Sequence, residues 1–232
     1  MTETLASPLP QTLLALAGRT IPLPDLATST LVSIDLQNEY LAGPLVLDGA
    51  EAAVAAAARL LAAVRAAGGR VVHVAHAGRP GGFFDRTAAR GAFADEVAPR
   101  AGEAVVEKRA ISAFHGTDLA THLPEPGAAT LIVAGFMTHN CVSSTVRTAG
   151  DLGHTIVVAH DACATRALPG PDGVVVDAAT LGRAALAGIA DRFCRLASVE
   201  EIVTAPDPAD RASRLREDVN APLLATGAGS SK

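Results

Sequence analysis

Continuous apolar runs, rather than alternating ones, recur along this chain and are separated by helix-patterned segments. Residues 30–36 (TLVSIDL), Arg70–His76 (RVVHVAH), Ala104–Lys108 (AVVEK), 129–136 (ATLIVAGF) and 155–160 (TIVVAH) read as strands. Helices are expected at 49–67, closed by Gly68 and Gly69, at 117–123, at 140–152 ahead of Gly153, and at 174–190. Strands that are apolar along their whole length suit a parallel sheet covered on both faces. The expected architecture is therefore α/β: a three-layer α-β-α sandwich, Rossmann-like, with a mostly parallel sheet of about six strands. The half-polar segment 198–204 (SVEEIVT) is expected as the last, edge strand. A proline-punctuated stretch, 7–25, with a short helical piece at 11–16, precedes the first strand.

Composition removes several classes of partner. The chain is 49% hydrophobic and 19% charged, which suits a globular core, and its net charge of −5 comes without a basic stripe. Nucleic acid and anionic membrane surfaces are poor partners for such a surface. No uninterrupted apolar stretch of about 18 residues is present, so no membrane span is expected. The first residues lack the basic start and apolar run of a secretory signal. Three scattered cysteines, Cys141, Cys163 and Cys194, make no C-x-x-C pair and no disulfide framework, and the cytoplasm is the expected compartment. No G-x-G-x-x-G or Walker pattern supports nucleotide binding.

Open parallel sheets bind ligands beyond the carboxyl ends of their strands. Three reactive side chains fall there. Asp35 closes the first strand inside an apolar run, Lys108 ends the third, and Cys141 sits just past the fourth, in the first turn of the following helix. Taken singly, each has an ordinary explanation: a cap or ion pair, a solvated charge, a small buried hydrophobe. Together they say more. A carboxylate in an apolar strand is costly without a partner. Of the 19 basic residues only Lys108 and the terminal Lys232 are lysines. A helix N-terminus and a nearby ammonium both favour the thiolate, so a lowered thiol pKa is expected. An acid, a cation and a nucleophile at one sheet edge make the layout of covalent acyl transfer.

The segments 34–40 (IDLQNEY), 107–108 with 112–117 (SAFHGT), and 135–142 (GFMTHNCV) resemble the three signature regions of the isochorismatase-like cysteine hydrolases. The likeness spans about residues 28–205 and includes 161–165 (DACAT). It implies an isochorismatase-like hydrolase domain at 28–205, flanked by a lead-in at 1–27 and a tail at 206–232. It also implies hydrolysis of a small amide, ureide or lactam C–N bond without a cofactor. Cys141 would attack the carbonyl to form a thioester. Asp35 would move the proton, and Lys108 would hold both in register. A cis peptide at Phe136–Met137 is implied, with the N–H groups of Met137 and Cys141 facing the oxyanion. Such donors commonly contribute about 3–4 kcal/mol each. Homodimers or homotetramers are implied as well.

Gln37, Tyr40, Phe114, His115 and His139 are the candidate substrate contacts, with Phe83 and Phe84 as further pocket walls. His73 and His76 stand three apart on a strand and therefore face opposite sides, which argues against a shared metal. Metal-binding nicotinamidases of the resembled family use histidines after the first strand. Residues 42–51 here contain none, so no metal is expected. Two other readings remain: a vinyl ether hydrolase of the isochorismatase type, which needs the acid but not the thiol, and a non-catalytic binding protein on the same fold.

Overall fold

The computed structural model describes residues 9–206, so the tail expected at 206–232, apart from its first residue, and the first eight residues of the lead-in lie outside the described residues. In chain order the elements are α1 (Leu13–Leu16), β1 (Thr30–Ile34), α2 (Ala50–Ala66), β2 (Arg70–His76), β3 (Ala104–Lys108), α3 (Leu119–His122), β4 (Thr130–Phe136), α4 (Ser143–Asp151), β5 (Thr155–Ala164), β6 (Leu168–Pro169), β7 (Val175–Val176), α5 (Ala178–Ala190), β8 (Arg195–Ala197) and α6 (Val199–Val203). The main sheet has six strands in the order β3-β2-β1-β4-β5-β8, and every pairing in it is parallel. Strand order reverses between β1 and β4. That reversal opens a crevice at the carboxyl ends of these two central strands.

Both faces are covered. Leu31, Ile132, Ala134, Phe136 and Val157 point to one side, where α2 lays down Ala53, Val54, Ala57, Leu60, Leu61 and Val64. These positions recur every three or four residues, which places them on one stripe of the helix. Leu60 and Leu61 are wholly enclosed, and burying side chains of this size contributes about 1.5–3 kcal/mol each. Val32, Ile34, Leu131, Val133, Ile156 and Val158 point to the other side, against Val142, Val146 and Ala149 near α4 and Ile189 of α5. The result is a three-layer α-β-α sandwich.

The segment 198–204 departs from the expected strand. Ser198 caps α6, its hydroxyl accepting from the Glu201 N–H while the Glu201 carboxylate accepts from the Ser198 N–H. This capping box satisfies the first donors of a helix and turns Val199 and Ile202 together onto the core. The edge strand is instead Arg195–Ala197, which pairs with β5. A second difference concerns 174–176. Val175 and Val176 pair antiparallel with β6 in a small hairpin, and α5 begins only after Asp177, whose carboxylate caps Thr180 N–H. Among the described residues no helix is long and apolar enough to cross a membrane.

Candidate active site

Asp35 ends β1 rather than lying within it. Its backbone turns left-handed, with φ of 51°, a region aspartate tolerates better than most residues. Its N–H still donates to Val74 O of β2, so the carboxylate is swung off the sheet while the main chain stays anchored. On the neighbouring strand, Gly135 has φ of 130° at an irregularity in the β4–β5 register. A Cβ there would stand 1.9 Å from Ile34 O, so only glycine lets β4 approach β1 this closely. The peptide Phe136–Met137 is cis, and a single π-helical turn, Thr138–Val142, carries Cys141 ahead of α4.

These turns bring the three expected residues together. Lys108 Nζ lies 2.7 Å from Asp35 Oδ2 and 3.2 Å from Cys141 Sγ, with further contacts at 3.2 Å to Ala110 O and His76 Nδ1. Asp35 and Lys108 side chains are fully buried and Cys141 nearly so. The Asp35–Lys108 contact is an ion pair sealed from solvent.

Burial pushes the Asp35 carboxyl above its ordinary range, opposed by the Lys108 charge. It pushes the Cys141 thiol up to about 12, with the Asp35 charge adding to the effect and Lys108 opposing it. The lowered thiol pKa expected from a helix N-terminus and an ammonium is therefore not what this site builds. Desolvation and the carboxylate outweigh both. The thiol is held towards its protonated form, with Asp35 and Lys108 as its enclosed neighbours.

The surrounding walls are partly those expected. Tyr40 is buried against Phe84 (5.0 Å between ring centroids) and Phe136 (5.6 Å). Burial, then the charges of Asp35 and Cys141, push its hydroxyl pKa upward. His139 Nδ1 is within hydrogen-bond reach of Thr165 Oγ1, which orients the ring next to the nucleophile turn. Gln37 has a different part. Its amide donates to His76 O and Gly91 O and accepts from His76 N–H, all while buried, so it ties β2 to the following loop. Phe114 leans on His154 at 6.4 Å, and His115 is exposed beside Glu107, Arg109 and Gly116. Phe114 also packs against the apolar cluster that includes Cys141.

The loop 77–102 is held over the site by Glu39. This buried carboxylate receives Arg90 through Nε at 2.6 Å and Nη2 at 2.8 Å, and accepts the Phe84 N–H at 3.0 Å. Phe84 itself has φ of 57°, a rare conformation for an aromatic residue. His73 and His76 do face opposite sides: His73 Nε2 meets Glu103 at 2.9 Å, while His76 meets Lys108 and packs on Phe84. Burial and Lys108 hold the His76 pKa down to about 4, so its ring is neutral and can accept from the ammonium. Considered only as a metal ligand in the sequence, His76 belongs to the triad's surroundings; its place at a strand's carboxyl end is the signal that points there. Among the described residues no group of three or more His, Cys, Asp or Glu side chains converges on a common point.

A cavity of about 540 Å³ lies elsewhere, between α1 and the turn after α4, lined by Leu13, Ile21, Asp151, His154 and Phe193. It contains none of the reactive residues, so volume alone does not mark the site.

Known proteins share this arrangement of sequence and fold. The isochorismatase domain family matches residues 29–201. A secreted isochorismatase effector of Verticillium dahliae is 40% identical over 75% of this chain and 90% of its own length. The maleamate amidohydrolase of Pseudomonas putida is 34% identical over 59% of this chain and 72% of its own. The crystal structure of an isochorismatase from Pseudomonas putida KT2440 superposes with a TM-score of 0.80 at 43% identity, covering 84% of this chain and all of that one. The chain belongs to the isochorismatase family, hydrolases with an α/β fold that include amidohydrolases acting on C–N bonds.

Proposed function

We propose that this protein is a cysteine-dependent amidohydrolase that cleaves an amide, ureide or lactam C–N bond of a small molecule through a thioester. The observation that carries this reading is the enclosed contact of Lys108 with both Asp35 and Cys141, at 2.7 and 3.2 Å. A buried thiol held protonated is a poor nucleophile alone, and here its proton has a carboxylate to go to.

In this scheme Cys141 Sγ attacks the substrate carbonyl carbon as its proton passes to Asp35. The carbonyl oxygen becomes an oxyanion, faced by the N–H groups of Met137 and Cys141. Collapse breaks the C–N bond, and Asp35 returns the proton to the leaving nitrogen. Asp35 then takes a proton from water as that water attacks the thioester, and the thiol is restored with the release of a carboxylic acid. Lys108 keeps a positive charge beside Asp35 throughout, which offsets the cost of a buried carboxylate.

Enol-ether hydrolysis, the chief alternative, requires an acid and leaves the thiol without a task. The placement of Sγ within reach of Lys108 favours the covalent route. Screening small amides for ammonia release identifies a substrate, and Cys141→Ala and Cys141→Ser are then assayed on it. Both variants are expected to lose turnover, and an acyl adduct on Cys141 is expected by mass spectrometry. Turnover that survives in both variants overturns the covalent reading.

A further inference from the structure

His76 is a polar side chain to which the mechanism above gives no task. It ends β2 as the register partner of Lys108, which ends β3. Alternate residues of the two strands, Val72, Val74 and Val106, lie in the apolar layer that includes Cys141, so His76 and Lys108 share the face on which the nucleophile sits. The residue is fixed at its N–H, its carbonyl and its ring. Gln37 closes on the main chain, accepting the His76 N–H at 2.9 Å and donating to His76 O at 3.1 Å. The ring packs on Phe84 at 5.0 Å between centroids, and the Phe84 N–H is itself held by Glu39.

A count of hydrogens around Lys108 gives this placement its meaning. Four acceptor atoms surround Nζ: Asp35 Oδ2 at 2.7 Å, and Cys141 Sγ, Ala110 O and His76 Nδ1 at 3.2 Å each. An ammonium has three N–H donors and no acceptor, so the ring nitrogen facing it accepts and the ring proton sits on Nε2. Burial and the neighbouring ammonium keep that ring neutral. Ala110 O and His76 Nδ1 are thus neutral acceptors that take no part in the chemistry. Once they are served, one hydrogen is left for the two groups that exchange a proton, Asp35 and Cys141.

We propose that His76 is a positioning residue: with Ala110 O it occupies two of the Lys108 hydrogens, so that the third alternates between Asp35 and Cys141. At rest this hydrogen faces the Asp35 carboxylate. As the thiol proton passes to Asp35, the negative charge moves to Sγ and the Lys108 hydrogen turns to it. No bond within Lys108 breaks, and the hydrogen returns to Asp35 when that residue gives its proton to the leaving nitrogen. Without the ring acceptor, three hydrogens would meet three partners. The base would then be weakened by a permanent hydrogen bond, and the thiolate stabilised before a substrate arrives. The proton transfer rests on the amidohydrolase reading, but the hold of His76 on Lys108 is tested without turnover.

Two variants separate the acceptor from the ring. His76→Phe keeps a ring against Phe84 and removes the acceptor, whereas His76→Asn removes the ring and offers Oδ1 near the place of Nδ1. The Cys141 thiol pKa is read from the ultraviolet absorbance of the thiolate against pH, as the difference from the matching protein carrying Cys141→Ala. His76→Phe is expected to lower it by about one unit, because a charge-assisted hydrogen bond is freed for the thiolate. His76→Asn is expected to stay within about 0.3 units of the native protein. No fall in His76→Phe, or an equal fall in both, overturns the proposal. Heteronuclear NMR of the native protein adds a measurement that no variant's folding affects: the His76 ring proton is expected on Nε2 near neutral pH, and a proton on Nδ1 overturns the proposal. On an amide found by the ammonia screen, His76→Phe is expected to lower kcat by roughly 10-fold with KM within about 2-fold, and His76→Asn to restore it. A loss confined to KM overturns the proposal. If the thiol pKa shifts as expected while no amide turns over, the amidohydrolase reading has failed and the role of His76 beside Lys108 stands.

Discussion

Lys108 Nζ stands 2.7 Å from Asp35 Oδ2, and both side chains are completely enclosed. Two opposite charges removed from water depend on each other: taking one away strands its partner in a medium that cannot solvate it. Lys108→Met is expected to lose about 3–5 kcal/mol of stability. The double variant Asp35→Asn/Lys108→Met is expected to recover part of that loss, as read by urea denaturation. Additive losses would show that the two charges are not coupled.

The thiol supplies a second expectation, with a sign set by its neighbours. Burial pushes Cys141 up to about 12, the Asp35 charge adds to this, and Lys108 opposes it. Neutralising Asp35 leaves Lys108 unopposed, so the thiol pKa falls. Asp35→Asn is therefore expected to lower the thiol pKa, read from the ultraviolet absorbance of the thiolate against pH, while losing amide hydrolysis because no base takes the thiol proton. A higher thiol pKa would mean that Asp35 promotes the thiolate instead of holding it back.

Gly135 sets the approach of β4 to β1. Gly135→Ala would place a methyl group 1.9 Å from Ile34 O in a backbone conformation that L-residues rarely adopt. A loss of at least about 2 kcal/mol is expected from overpacking and strain together. Thermal unfolding measures it, and an unchanged melting temperature would contradict the geometry.

Acid stability should depend on Glu103. Burial alone would raise its pKa, but Arg65, the Arg100 N–H and His73 together outweigh burial and hold it at about 2. Because the folded value lies below the ordinary 4.5, its contribution is complete above that pH and is lost as pH falls from about 4.5 towards 2. The slope from this single group is at most about 1.4 kcal/mol per pH unit. Glu103→Gln is expected to lower stability near neutrality and to flatten the decline across that window. Denaturation curves collected through the acid range supply the comparison.

The loop over the site offers a kinetic readout. Glu39 anchors it by accepting Arg90 and the Phe84 N–H. Glu39→Gln is expected to raise KM more than it lowers kcat, and to increase hydrogen exchange in residues 80–92. An unchanged exchange pattern would show that the loop is held by other contacts.

Much of this was legible in the chain itself. Continuous apolar runs at β1, β2, β4 and β5 announce strands covered on both sides, and Asp35, Lys108 and Cys141 are marked by falling at strand ends. Segment 198–204 was not legible as a helix. Its valines and isoleucine suit either period, and the Ser198–Glu201 capping box decides between them locally. Gln37 is a candidate substrate contact in the sequence, yet its amide is consumed by His76 and Gly91, residues far away in the chain.

Side-chain type and periodicity, which are local, determined the α/β class, the parallel sheet and the strand-end positions of Asp35, Lys108 and Cys141. Tertiary structure alone decided their electrostatic state. Whether a thiol beside an ammonium ionises depends on how much water is excluded and on which carboxylate shares the space, and both follow from packing between strands distant in the chain. That is why the sequence pointed to a lowered thiol pKa at Cys141, and the folded site holds it high.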